Sequence, residues 1–298
     1  MLLKSARLSR GVPVLFALMA LLAGTLGAQA PATQAPAPKP ATPAAKPATP
    51  AAKPAAPTTA ASLPSAREVI DRHIKSIGGR EALLSHKSAH VTGTFSVPAS
   101  GMVGTIEMYG AANPDRTLVK ITIPGLGEML NGYDGAHGWA VTPMTGPMLQ
   151  MGKELDQTKL DAEFYGELRD PKRYKSLKTL EKTIFPAAEK GQDGKSAEGR
   201  PCYKISLVRI DGNEDFEFYD VETGLRAGAI NTRESPMGTV TTTVVETDYK
   251  KFGNVLQATN VVQKMMGVEQ KLTLATIEYD SVPESVFELP AQIKALIK

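Results

Sequence analysis

Short runs of β-branched and aromatic residues recur along this chain, each cut off by a turn signal, and that rhythm limits the fold more than any other feature. The runs span 89–97, 102–109, 117–123, 128–131 and 138–142, then 175–184, 202–209, 215–219, 225–232, 239–248, 255–264 and 269–279. Between them lie Asn113-Pro114, Asp134-Gly135, Asp211-Gly212, Thr223-Gly224 and Gly253-Asn254, pairs that reverse a chain sharply. A period of two is plain in places. Tyr203, Ile205 and Leu207 share one face against Lys204 and Ser206, and Phe216 and Phe218 share a face of the next run. Connections this short leave no room for crossover helices, so the reading is an antiparallel meander with one buried face.

Helices are few. Ser65-Ala66-Arg67-Glu68 is a capping box that opens an amphipathic stretch with Ile70, Ile74 and Ile77 on one side, and Gly78-Gly79 closes it. One further turn is expected at 81–84. A second helix is expected over 152–168, with Leu160, Phe164 and Leu168 at four-residue spacing and Asp170-Pro171 as its stop. A last short turn follows Pro290. The fold class is mainly β, within α+β: a large curved antiparallel sheet whose helices bury their apolar sides on its concave face.

Ahead of this domain the chain has a different character. Lys4, Arg7 and Arg10 precede an apolar run from Val14 to Leu26, and Ala28-Gln29-Ala30 has the small residues of a cleavage site. Residues 1–30 are therefore expected to be a signal peptide cleaved after Ala30, and the protein to be periplasmic or otherwise exported. Residues 31–64 are nearly all Ala, Pro, Thr and Lys, with ATPAAKP twice in tandem, a composition that favours an extended, disordered linker. The folded domain is placed at 65–298. The formal charge of +3 is misleading, because Lys4, Arg7, Arg10, Lys39, Lys46 and Lys53 all precede the domain and no acid does. The domain is slightly acidic, which argues against nucleic acid as a partner. The single cysteine, Cys202, excludes an internal disulfide framework.

Catalytic patterns are missing. The sequence has no G-x-S-x-G, H-E-x-x-H, Walker or C-x-x-C motif. His86 and His90 have the spacing of two ligands on a helix, but they straddle a helix end and a strand, so no metal site is expected. Asp211, Asn213 and Asp215 begin like a calcium loop, yet Phe216 stands where that loop needs glycine. Cys202 opens a strand without a nearby base and reads as a small buried hydrophobe. No cofactor is called for. The methionines are more suggestive, with Met144, Met148 and Met151 around the start of the expected 152–168 helix and Met265-Met266 at a strand end. Flexible thioethers suit surfaces that repack around variable apolar ligands.

Four patterns carry a resemblance: Ile77-Gly78-Gly79-Arg80-Glu81-Ala82-Leu83, Tyr133-Asp134-Gly135-x-x-Gly138-Trp139, Asp220-x-x-Thr223-Gly224-Leu225, and the close from Val282 to Pro290. Together they resemble the LolA/LolB-like superfamily of periplasmic lipoprotein carriers, in particular its outer-membrane lipoprotein-sorting proteins. The resemblance implies an unclosed β-barrel of about eleven strands, helices over its mouth, and an apolar cavity inside. It departs from the lipid-anchored receptor type in having no cysteine at the end of the apolar leader, and the resemblance assigns the carrier's latch role to no particular arginine here.

On that basis the apolar positions expected to line a cavity are Phe95, Ile106, Met108, Val119, Ile121 and Trp139 in the first half, and Leu160, Phe164, Ile205, Leu207, Phe216 and Phe218 in the second. The function expected is that of a non-enzymatic carrier or binder of acyl chains, of lipids or of lipoproteins. The alternative is an envelope sensor or scaffold that docks another envelope protein through the same fold.

Overall fold

A computed structural model of the chain describes residues 63–186, 199–235 and 238–297. The expected leader, cleavage site and linker, up to residue 62, lie outside the described residues. Helix α1 (Ala66–Ser76) starts where the capping box places it: the Ser65 N–H donates to Glu68 Oε2 at 2.7 Å, and the Glu68 N–H donates to Ser65 Oγ at 3.3 Å. Its apolar side buries Val69, Ile70 and Ile74. Gly78 and Gly79, both at positive φ, then turn the chain into α2 (Arg80–Ser85). At Gly78 a Cβ atom would lie 2.5 Å from the carbonyl oxygen of Asn254, so the close approach of the two loops demands glycine.

The strands are β1 (Ser88–Val97), β2 (Met102–Ala111), β3 (Arg116–Ile123), β4 (Gly127–Tyr133), β5 (Gly138–Thr142), β6 (Gly146–Gln150), β7 (Tyr174–Phe185), β8 (Arg200–Arg209), β9 (Glu214–Asp220), β10 (Arg226–Ser235), β11 (Gly238–Phe252), β12 (Val255–Met265) and β13 (Val268–Tyr279). They form one sheet in the order β6-β5-β4-β3-β2-β1-β13-β12-β11-β10-β9-β8-β7, antiparallel at every pairing. The sheet does not close, since β6 and β7 are its two edges. Among the described residues the sheet has thirteen strands, a little beyond the eleven or so that the family resemblance implies, and the expected unclosed, mainly β architecture is present. The segment absent from the sequence reading is β6, whose Gly146-Pro147-Met148-Leu149-Gln150 carries a proline and too few residues to show alternation.

The single helix expected over 152–168 is two pieces. Helix α3 (Gly152–Asp161) stops early, and a separate 3₁₀ turn covers Gly166–Leu168. Tertiary partners take the backbone and side chains between them. The Phe164 N–H donates to Asp115 Oδ1 at 3.2 Å, and the Tyr165 hydroxyl donates to the carbonyl of His86 at 2.9 Å. Another 3₁₀ turn (Glu284–Phe287) lies against β3, and α4 (Ala291–Lys294) lies against β6.

Both edges are guarded. The short β6 is backed by α4, while the long β7 carries Lys175, Lys178 and Lys182 and has register shifts between Tyr174 and Ser176 and between Thr179 and Glu181. Short length, lysines and irregular register all hinder a further strand from adding.

Candidate binding site

Directly paired residues of an antiparallel sheet lie on one face, so the register shows which candidates can meet. Phe95 pairs with Leu272, Leu272 with Val261, and Val261 with Glu246. Two residues along β11, Val244 pairs with Ala229, Ala229 with Glu217, and Glu217 with Ile205. Phe95, Ile106, Met108, Val119 and Ile121 therefore share a face with Ile205 and Leu207. The first five belong to a buried cluster with Val91, Val97, Val244, Val261 and Leu274. Ile205 and Leu207 pack in a second cluster with Phe164, Tyr219 and the apolar side of α1.

Three candidates point the other way. Phe218 pairs with Gly228 and Lys204, so Phe216 and Phe218 project from the opposite face, where Phe218 stacks on Phe185 at 3.9 Å between ring centroids. Cys202 is in that outer cluster too, and burial pushes its thiol up to about 11. Trp139 alternates with Ala140, a member of the inner cluster, and lies across Gly132 on the outer side. There a Cβ on residue 132 would come within 2.5 Å of the indole. Leu160 is only half-buried on α3.

Between the two inner clusters lies a group of buried charges that no motif announced. Arg226, at the start of β10, donates from Nε to Glu246 Oε2 at 2.9 Å and from Nη1 to Glu167 Oε2 at 3.1 Å. Arg169 donates from Nε to Glu217 Oε1 at 3.0 Å. The Tyr219 hydroxyl donates to Glu217 at 2.5 Å, and that of Tyr249 to the Arg226 carbonyl at 2.8 Å. His73 of α1 completes it, with Nδ1 3.2 Å from the Gly224 carbonyl and Nε2 3.5 Å from Glu167. Burial pushes the Glu167 carboxyl up, but Arg226 and Arg169 outweigh it and hold the group well below the usual carboxylate range. For Glu217 burial is again outweighed by the same two guanidiniums. The sequence signal was faint: Glu217 shares its strand face with Asp215 and Tyr219, and Glu246 follows Thr242 and Val244 on its own.

These charges tie the cover to the sheet. Glu167 and Arg169 belong to the covering segment, whereas Arg226, Glu217 and Glu246 belong to the strands. The hollow beside them measures about 40 Å³ and is lined by His73, Ile77, Glu167, Arg226, Glu246, Tyr249, Leu256, Leu274, Ile277 and Tyr279 among others. None of the twelve sequence candidates lines it. They are instead packed against neighbours, and the hollow has room for a few waters against the ~300 Å³ or more of a typical ligand pocket. Among the described residues no cluster of His, Cys, Asp or Glu is arranged to hold a metal ion.

A second polar group lies at the end of α3. The partly buried Asp161 accepts from Gln157 Nε2 at 2.7 Å, and burial pushes its carboxyl up to about 7. An acid raised in this way favours the folded state most when protonated. Its contribution is complete below about pH 4, and is lost as pH rises to 7. Asp161→Asn is expected to raise stability by about 1–3 kcal/mol at pH 8 and to leave it unchanged at pH 4. Urea unfolding at the two pH values measures this.

The fold and site define a class: an open, wholly antiparallel sheet whose apolar inner face is shut by short helices and a charged strap. No family model matches the chain, and no curated protein does. Among solved structures it is similar to a DUF1329 family protein from Desulfovibrio piger, with 11% identity over 75% of this chain and 97% of the other, at a TM-score of 0.49. A LolA superfamily protein from Nitrosomonas europaea matches at 13% identity over 76% and 99%, TM-score 0.49. A putative outer membrane lipoprotein-sorting protein domain from Vibrio parahaemolyticus matches at 12% over 74% and 95%, TM-score 0.47.

Proposed function

We propose that the protein is an exported, non-enzymatic binder or carrier of acyl chains, of lipids or of lipoproteins, that exchanges its own cover for the ligand. The observation that carries this reading is the inner face itself. From β1 to β5 and across β11 to β13 it is a largely apolar surface, interrupted by Asn131, Glu246, Gln263 and Gln270, and it is shut at one end by helices and by the 162–169 segment, not by further strands. A cover joined through side chains can lift without breaking the sheet. The exposed apolar surface then accepts a chain, each buried methylene giving about 0.8 kcal/mol, so a chain of ordinary length can offset the cost of displacing the cover. The guarded sheet edges weigh against the alternative of a scaffold that recruits an envelope protein by strand addition.

The test is uptake of a fluorescent fatty-acyl probe by protein purified from the exported fraction, with mass spectrometry of lipid extracted from the same sample. Saturable uptake and a co-purifying acyl compound are expected. A protein that yields no lipid and takes up no probe, even after mild acid or urea loosens the cover, would not be a carrier.

A further inference from the structure

The register sorts the hairpin turns to two ends of the sheet, and the two ends differ in chemistry. At one end lie the turns within 112–115, 134–137, 220–225 and 250–254, which bear Asp115, Asp134, His137, Asp220, Glu222, Lys250 and Lys251. At the other end the tips spanning 97–104, 123–127, 142–148 and 265–268 contain no charged residue. The closing pairs Val97–Met102, Ile123–Gly127, Thr142–Gly146 and Met265–Val268 show that these four tips sit side by side along the strand order. Of that end's tips among the described residues, the 210–213 turn far along the sheet is the charged exception, with Asp211.

The tips present apolar side chains to solvent. Val103 is 59% exposed, Met144 57% and Met266 60%. Pro98, Pro124 and Pro143 are exposed beside them. Inward, Met102, Leu126 and Val268 of the same tips pack on the inner apolar cluster, so the apolar character runs from the surface into the core. Immediately behind the tips the sheet turns polar, with Thr94, Thr105, Thr122 and Glu128 exposed.

We propose that this end of the sheet docks on a lipid bilayer, with the four tips entering the headgroup region. Three features favour a bilayer over a protein. The tips are separate points and not a flat patch, and a fluid surface fits separate points without shape complementarity. Prolines remove backbone donors, so fewer polar groups lose water on insertion. A polar belt behind apolar points is the pattern of a body that lies in the interface without crossing it, whereas a protein interface of useful size needs about one hydrogen bond per 100–200 Å². Without charge at the tips, the attraction is to the apolar boundary and not to anionic headgroups. The inference stands apart from the carrier reading, since a surface can dock whether or not the interior opens.

The experiment is flotation of protein from the exported fraction with phosphatidylcholine vesicles, with and without phosphatidylglycerol, at low and high salt. Wild type is expected to float with both vesicle types at both salts. The triple variant Val103→Asp, Met144→Asp, Met266→Asp is expected to partition at least about tenfold less, while Ile210→Asp on the charged tip partitions as wild type. All three positions are exposed, and an unchanged thermal midpoint verifies that the variant folds. Unchanged uptake of a soluble acyl probe by the triple variant separates surface docking from interior binding. The proposal is overturned if wild type stays with the unbound fraction, if the triple variant floats equally well, or if binding needs phosphatidylglycerol and disappears at high salt. Capture of an envelope protein by these tips in a sample that ignores vesicles overturns it as well.

Discussion

Arg226→Met lowers the stability of the folded protein by about 3–5 kcal/mol, because it strands Glu246 and Glu167 in the interior without the cation they share. The whole cost of an unpaired buried charge then falls on the folded state. Urea denaturation at pH 7 measures it, and a loss below about 1 kcal/mol would show that water reaches these carboxylates. The pH dependence supplies a second readout. Glu167 and Glu217 are held below their ordinary values, so their contribution is present above about pH 4.3 and is lost as pH falls toward the folded-state values. Wild type is therefore expected to lose stability steeply in acid. Arg226→Met flattens that slope, since the shifted groups lose a cation that shifts them.

Phe95→Ala costs about 3–5 kcal/mol as well, by a different route. Phe95 is fully buried in the inner apolar cluster, among Ile106, Ile121 and Leu272. Its removal leaves a void that a rigid sheet fills poorly. The interest lies in what can refill it. An enlarged apolar cavity takes up small hydrophobic molecules, so a medium-chain acyl compound is expected to restore part of the lost thermal stability in Phe95→Ala. The same compound should do less for Phe218→Ala, whose void opens on the outer face. Equal rescue of both variants would count against the inner face as the acyl-binding surface.

The strands were legible because period-two alternation and turn pairs are local signals. The side of the sheet on which each run lies is not local. Alternation places Phe216 and Phe218 on one face, but nothing nearby says that Asp215 and Glu217 occupy the inner one. That follows only from pairing Glu217 with Ile205 and Ala229. A carboxylate between two phenylalanines reads as solvent-facing until two arginines from elsewhere in the chain are brought to it. Trp139 misled for the same reason, its burial coming from the outer side. The early end of α3 was hidden because the competing partners, Asp115 and His86, are distant in sequence. The core residues were identifiable from their character, whereas the charged strap and the division between faces required the fold.

The pairing of β1 with β13 has a bearing on how the molecule is assembled. Ala89 is joined to Tyr279, so the central seam of the sheet connects the first strand made to the last. A chain that crosses a membrane N-terminus first presents β1 to β6 long before β13 arrives, and the inward side of that half must wait uncovered. Closing so long a loop is entropically slow to begin, and contacts this distant delay folding. Trimming the chain before β13 should leave six strands with no partner along β1, a form expected to aggregate where the intact protein refolds.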